Sequence, residues 1–170
     1  MKWTSKGYEN IICNKNISET TKFCIYGAGK LGGDLYKTLK HYDMFFCFID
    51  NNHSIQEKGY KNEAVISENE YFKKEIKYPV IICASDENTL LIESDLKNRG
   101  LIHNKNYYIC REFTDKLLPI IAYKFFNEIF MSLSQICVTE RCTLRCKKCA
   151  HGCYNVPITK DDLTLEQVKK

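Results

Sequence analysis

The stretch that decides the fold is Phe23-Cys24-Ile25-Tyr26-Gly27-Ala28-Gly29-Lys30-Leu31-Gly32. Its first four residues are an apolar run of the kind found in buried strands, and its glycines follow the spacing G-x-G-x-x-G. Leu31, Leu35 and Leu39 then recur at helical spacing. The stretch therefore predicts a strand, a glycine turn and a helix.

The glycine spacing is typical of a turn that binds a phosphate group. Gly27 permits the tight turn, Gly29 lets a phosphate approach the backbone, and Gly32 lets the helix pack closely on the strand. Phe45–Ile49 predicts the second strand, and Asp50 follows it where such folds place an acid for a ribose hydroxyl. The pattern predicts a site for NAD or a nucleotide-linked ligand, unless the turn serves only the fold.

The alternation of strands and helices continues to residue 112. Val80–Ala84 and Tyr107–Cys110 predict further strands, and Ser67–Glu70 matches the capping box that begins a helix. Another predicted helix is marked by Ser85 or Asp86 at its start, Leu91 and Leu96 facing inward, and Gly100 at its end. This rhythm predicts an α/β fold, a small doubly wound parallel sheet of the Rossmann-like type, over residues 1–112.

The pattern changes to that of one long helix from Leu117 to Leu133. Pro119 suits the first turn, and Ile121, Phe125 and Ile129 continue an apolar stripe along the helix. A wide apolar face needs a partner surface. We therefore expect residues 113–134 to form a linker helix that packs between two domains.

A cysteine loop follows the linker. Cys142, Cys146 and Cys149 have the spacing C-x3-C-x2-C and come just after a short β-branched run. Thiolates suit zinc, Cu(I) or iron–sulfur clusters, and three of them favour an open site because a structural zinc takes four ligands. Cys153 or His151 offers a fourth ligand, so a zinc knuckle in a nucleotide-binding or regulatory module is the alternative.

The stretch Val138–Cys149 resembles the signature of the radical S-adenosylmethionine (radical SAM) enzymes. The resemblance implies that Cys142, Cys146 and Cys149 hold a 4Fe-4S cluster whose open iron binds S-adenosylmethionine. It implies reductive cleavage of that cofactor to a 5′-deoxyadenosyl radical, with an electron donor such as flavodoxin or ferredoxin. Lys148 stands where the family often has an aromatic residue near the adenine, so the resemblance implies the cluster ligands but not that contact.

The resemblance also bears on domain organisation. Residues 135–170 match only the first β/α unit of the partial (β/α) barrel that it implies, and so short a piece buries too little surface to fold alone. We therefore expect the chain to be the amino-terminal portion of a longer enzyme and not to catalyse the reaction by itself. Ile25–Gly32 and Phe48–Asn52 resemble the small domains attached to enzymes of surface-sugar and polysaccharide assembly, which implies a small-molecule or nucleotide-linked substrate. A NAD-dependent dehydrogenase is disfavoured because no second catalytic domain follows.

Composition narrows the class of protein. The apolar fraction of 44% supports a folded core, and the formal charge of +4 is spread among acids, so electrostatics do not indicate nucleic acid. Basic residues gather only at the cysteine loop, where they either form a solvated face or offset the charge of thiolates: Arg141, Arg145, Lys147 and Lys148.

The ten cysteines predict a reducing compartment rather than a disulfide framework. No leader-like apolar segment begins the sequence, and no apolar run reaches the length of about 18 residues that a membrane span needs. We therefore expect a cytoplasmic protein without membrane contact. Four cysteines lie in apolar runs and are expected to be buried and structural: Cys24, Cys47, Cys83 and Cys137.

Overall fold

The computed structural model describes residues 17–130 of the chain. The five strands in this range are β1 (Phe23–Tyr26), β2 (Phe45–Ile49), β3 (Val65–Ile66), β4 (Val80–Ile82) and β5 (Tyr107–Ile109). The α-helices are α1 (Lys30–His41), α2 (His53–Lys58), α3 (Glu68–Lys73), α4 (Asp86–Asn98), α5 (Cys110–Glu112) and α6 (Leu118–Phe126), with a π-helical turn at Phe113–Leu117 between the last two. Strands and helices alternate, which confirms the α/β class.

The strands form one parallel sheet in the order β3-β2-β1-β4-β5. Ile25 in the central strand pairs with Phe48 of β2 on one side and with Ile81 of β4 on the other. From β1, the chain therefore adds β2 and β3 on one side of the sheet. It then crosses to the other side of β1 and adds β4 and β5. An all-parallel sheet with this order is consistent with the predicted doubly wound, Rossmann-like fold.

Each face of the sheet is covered by helices, so the strands are apolar on both sides. Alternate residues of β1 serve the two faces, with Phe23 and Ile25 on one and Cys24 and Tyr26 on the other. The first face is covered by α1 and α6, through residues that include Leu35, Leu39, Leu118 and Ile121. The second is covered by α3 and α4, through Tyr71 and Leu96.

Two predicted helix boundaries are confirmed. Ser67 Oγ accepts a hydrogen bond from the Glu70 amide at 3.2 Å, and the Ser67 amide donates to Glu70 Oε2 at 2.7 Å, which completes the capping box. Gly100 follows the end of α4 with a φ of +85°, a value that favours glycine. Ser85 is the N-cap of α4, although its side chain makes no capping hydrogen bond.

Leu91, which was predicted to face the core, is exposed instead, and Leu31 of the α1 leucine series is exposed too. Leu91 is 70% exposed and Leu31 is 49% exposed. Leu91 and Leu96 are five residues apart, which places them about 140° apart around a helix, so both cannot face the sheet. Thr89 and Leu96, seven residues apart, are the buried pair. Leu31 lies in the first turn of α1, directly after the glycine turn.

The predicted long helix from Leu117 to Leu133 is wrong in its extent. It ends at Phe126, because Asn127 adopts a left-handed conformation with φ of +54° and its amide bonds back to Ala122. Ile129 is 79% exposed and so does not continue the apolar stripe, and Leu133 lies outside the described residues. The buried side of α6 packs on the same sheet face as α1.

The predicted burial of the cysteines in apolar runs is confirmed for those that the structure describes. Cys24, Cys47 and Cys83 are buried free thiols, while Cys137 lies outside the described residues. Cys47 donates to the Cys24 sulfur at 3.7 Å across the paired strands β1 and β2. The adjacent Cys47 side chain and burial raise the pKa of Cys24, so this thiol stays protonated. Among residues 17–130, no helix has the length and hydrophobicity that crossing a bilayer requires.

Candidate functional site

The glycine turn joins β1 to α1 at the centre of the sheet, where the strand order reverses. Gly27 has a φ of +110°, and a Cβ there would lie 2.3 Å from the carbonyl oxygen of Cys83. A Cβ on Gly32 would lie 2.0 Å from the carbonyl oxygen of Gly27. Two of the three motif glycines are therefore required by the fold itself, one by backbone conformation and both by close approach.

Gly29 is different, because no contact within the described residues requires it to be glycine. An added Cβ would have nothing within 4 Å, and its φ of −109° suits any residue. It is the N-cap of α1 and provides no side-chain cap, so amides of the first helical turn lack that partner. The first turn holds no acid and begins with Lys30. These features suit an anion at this position.

Asp50 directly follows β2, as predicted, but its carboxylate accepts hydrogen bonds from the protein's own backbone. Oδ2 accepts from the Ala28 amide of the glycine turn at 2.9 Å, and Oδ1 accepts from the Asn52 amide at 2.9 Å. The side chain thus ties β2 to the turn. Each carboxylate oxygen has a second lone pair, so acceptance of a ribose hydroxyl remains compatible with these bonds.

A short turn at residues 60–63 is hydrogen-bonded to the glycine turn. The Tyr60 hydroxyl donates to the carbonyl oxygen of Gly29 at 2.9 Å. Lys61 and Asn62 both have positive φ, and Tyr60 and Glu63 exchange backbone hydrogen bonds of 3.0 Å, which describes a type I′ turn. Sequence reasoning missed this turn because neither central residue is glycine.

A polar cavity of about 590 Å³ lies close to the end of β2, on the sheet face that carries α3 and α4. All of its lining residues are polar: Asn51, His53, Gln56, Ser67, Glu68, Asn69, Glu70, Lys73, Asp95 and Arg99. They come from separate segments of the chain. No local spacing in the sequence brings them together, so the sequence predicted none of them as site residues.

Glu68 is the most buried of these side chains, with the residue 6% exposed. Its Oε2 accepts from the Tyr26 hydroxyl at 2.8 Å, while Oε1 accepts no hydrogen bond and lies 3.3 Å from Nε of Arg99. Burial raises the pKa of Glu68, and the neighbouring Asp95 carboxyl group raises it further. Arg99 lies beside both acids, with its Nε 3.3 Å from Glu68 Oε1 and 3.3 Å from Asp95 Oδ2.

Replacement of Glu68 by glutamine tests this arrangement through pH. Because the folded pKa of Glu68 is raised, its contribution to stability is fully present below its unfolded pKa of about 4.3 and is lost as pH rises through the folded pKa. We expect the stability of the wild type relative to Glu68→Gln to decrease as the pH rises above about 4. Urea unfolding midpoints at a series of pH values measure it.

Glu70 is the matched control, since it lies in the same helix but its hydrogen bonds from Ser67 lower its pKa. Relative to Glu70→Gln, the wild type is expected to gain stability as pH rises over the acid range, the opposite direction. Equal pH dependence of the two variants would contradict the raised pKa of Glu68.

Comparison of the chain with protein-family models, with curated proteins and with solved structures finds no match. The residues themselves therefore carry the functional argument. The predicted phosphate-turn residues Gly27, Gly29, Gly32 and Asp50 lie together at the carboxyl edge of the sheet.

The structure does not describe the predicted metal ligands. Cys142, Cys146 and Cys149 fall outside residues 17–130, as do the alternative fourth ligands His151 and Cys153. Within the range that the structure describes, His, Cys, Asp and Glu side chains form no group of three suited to a metal ion. The proposed metal site thus depends on the sequence alone.

Proposed function

We propose that the chain is the amino-terminal part of a radical SAM protein whose Rossmann-like domain binds a nucleotide or a nucleotide-linked substrate. The observation that carries the first half is the spacing of Cys142, Cys146 and Cys149 after a β-branched run. Three thiolates in one short loop are a donor set that fits a 4Fe-4S cluster with one open iron. When bound, such a cluster supplies the electron for reductive cleavage of S-adenosylmethionine.

Anaerobic reconstitution with iron and sulfide tests the cluster, and it is carried out on the longer protein of which this chain is the proposed amino-terminal part. We expect about four iron atoms per chain, as the cluster composition requires, with a thiolate-to-iron absorbance band. Cys142→Ser is expected to lose both, whereas Cys153→Ser is the matched control and is expected to retain them.

The opposite pattern supports the alternative function, a nucleotide-binding module with a zinc knuckle. In that case the chain would take up about one zinc and no iron, and Cys153→Ser or His151→Ala would lose it, because a structural zinc site needs four ligands. Iron and sulfide absent from the reconstituted wild type would overturn the radical SAM proposal.

The second half of the proposal is supported by the glycine turn. A Cβ added to Gly29 would have no atom within 4 Å, so a phosphate can approach the backbone there. The amino end of α1 has no side-chain cap, and Lys30 adds a positive charge. We therefore expect isothermal titration of the full chain with NAD to show binding at one site. The absence of binding would remove NAD as the ligand of this turn.

Gly29→Asp is expected to separate binding from stability. An aspartate at this N-cap position accepts from the free amides of α1 and interacts favourably with the helix dipole, so the free energy of unfolding is expected to rise by about 0.5–1 kcal/mol. The same charge repels a phosphate, so NAD binding is expected to fall below detection. Gly29→Ser is the matched control, because it provides a cap without the charge and is expected to reduce binding less.

A further inference from the structure

Tyr60 contacts the glycine turn although it lies outside the glycine motif. Its hydroxyl donates to the carbonyl oxygen of Gly29 at 2.9 Å, and the same oxygen accepts the helical hydrogen bond from the Gly33 amide at 2.8 Å. The Tyr60 ring packs edge-on against Phe48 of β2, with ring centroids 5.2 Å apart. Packing on the sheet therefore holds the hydroxyl against the peptide that begins α1.

The hydrogen bond to Gly29 fixes the direction of the first amide of α1. The Gly29 oxygen and the Lys30 N–H belong to one planar trans peptide, so they point in opposite directions. The Lys30 N–H has no acceptor within the helix, because it lies in the first turn. Two donors on the Gly29 oxygen thus hold this N–H pointing out of the amino end of α1, where the proposed function places a phosphate.

Gly33 leaves the space that the Tyr60 hydroxyl occupies. A Cβ on Gly33 would lie 2.6 Å from the Tyr60 hydroxyl oxygen and 2.6 Å from Cε of Lys61. Glycine within a helix is destabilising relative to alanine, and Gly33 has no positive φ that would require it. Within the described residues, it is the approach of the 60–63 turn to α1 that accounts for glycine at position 33.

The 60–63 turn has an unfavourable backbone conformation of its own. Lys61 and Asn62 have φ values of +53° and +62°, which residues other than glycine rarely adopt. Glu63 holds the turn in place, because its backbone exchanges hydrogen bonds of 3.0 Å with Tyr60 and its carboxylate accepts from the Tyr36 hydroxyl at 2.8 Å. The surrounding structure thus maintains a costly turn whose first residue contacts the glycine turn.

We propose that Tyr60 is a positioning residue of the ligand site at the glycine turn. Its hydroxyl holds the Gly29–Lys30 peptide so that the Lys30 N–H donates to a phosphate oxygen of the bound nucleotide. Gly33 is glycine so that this hydroxyl reaches its acceptor. The inference rests on the proposed function of the turn and adds to it two residues that the G-x-G-x-x-G motif does not include.

The test is isothermal titration of the full chain with two probes, NAD and inorganic pyrophosphate. Tyr60→Phe keeps the ring and removes the hydroxyl, and it is expected to weaken binding about tenfold, the loss that corresponds to one hydrogen bond. Tyr36→Phe is the matched control, because it also removes a hydroxyl bonded to the 60–63 turn but one that does not reach Gly29. It is expected to bind within about twofold of the wild type.

Gly33→Ala separates positioning from stability. The new Cβ displaces the end of the Tyr60 side chain rather than backbone, and alanine favours the helix, so the midpoint of urea unfolding is expected to be no lower than that of the wild type. Binding is nevertheless expected to fall about tenfold. The double variant Gly33→Ala/Tyr60→Phe is expected to bind no more weakly than either single variant, because both remove the same hydrogen bond.

The outcomes distinguish this inference from the function on which it rests. A wild type that binds neither probe overturns both the nucleotide site and the inference. A wild type that binds, together with Tyr60→Phe that binds as tightly as Tyr36→Phe, overturns the inference and leaves the nucleotide site standing. Losses that add in the double variant overturn the role given to Gly33.

Discussion

Gly32→Ala is expected to lower the free energy of unfolding by at least about 3 kcal/mol, or to prevent folding. The new Cβ would lie 2.0 Å from the carbonyl oxygen of Gly27. That backbone has little freedom to move, because the Gly27 amide is bonded to Ile49 at 2.8 Å. Alanine in place of glycine favours a helix by about 1 kcal/mol, which is too little to offset the clash. Urea unfolding followed by circular dichroism measures the difference.

Gly29→Ala is the matched control for this prediction. It lies three residues away in the same motif, its added Cβ meets nothing within 4 Å, and its stability is expected to stay within about 0.5 kcal/mol of the wild type. If Gly32→Ala proved as stable as Gly29→Ala, α1 would not approach the glycine turn as closely as described. The packing of α1 would then not require glycine at position 32.

Phe113→Ala is expected to cost about 3–5 kcal/mol, the range for loss of a fully buried phenylalanine. Phe113 lies in the π-helical turn after β5, and its ring packs edge-on against Phe23 with centroids 5.1 Å apart and tilted against Tyr108 at 5.8 Å. Both partners belong to strands. The substitution therefore measures how firmly the segment after β5 is held to the sheet.

Tyr123→Ala in α6 is the comparison variant, since Tyr123 is 60% exposed, and its effect is expected to be within about 0.5 kcal/mol of zero. The same unfolding measurement serves for both. A cost for Phe113→Ala as small as that for Tyr123→Ala would mean that the segment after β5 contributes little to the core. The large cost that we expect would mean that a chain shortened at residue 112 is a poor substitute for the whole domain.

The sequence predicted the central parts of the fold because they follow local rules. A strand, a glycine turn and a helix within Phe23–His41 are specified by nearest-neighbour pattern, and the capping box at Ser67 by a four-residue spacing. Leu91 and Ile129 were misplaced for a different reason. Apolar character alone does not say which side of a helix meets the sheet, and the helix that was to include Ile129 ends at Asn127.

The candidate site was predictable only in part. Gly27, Gly29, Gly32 and Asp50 lie within one motif and its following strand, so their proximity could be read from spacing. The hydrogen bond from the Ala28 amide to Asp50 could not be predicted from the spacing, because several side-chain conformations of Asp50 suit the same spacing. The cavity around Glu68 depends on tertiary contacts between distant segments, which a single sequence does not specify.

The central position of β1 constrains how the nascent chain acquires its structure. Both neighbours of β1 are parallel to it, so neither pairing can form as a hairpin, and one edge of β1 stays unpaired until Val80–Ile82 has left the ribosome. Pairings between such distant segments are slow to form. An apolar strand with an open edge is a template for intermolecular association. We therefore expect the yield of native protein during synthesis to depend on how long this intermediate persists.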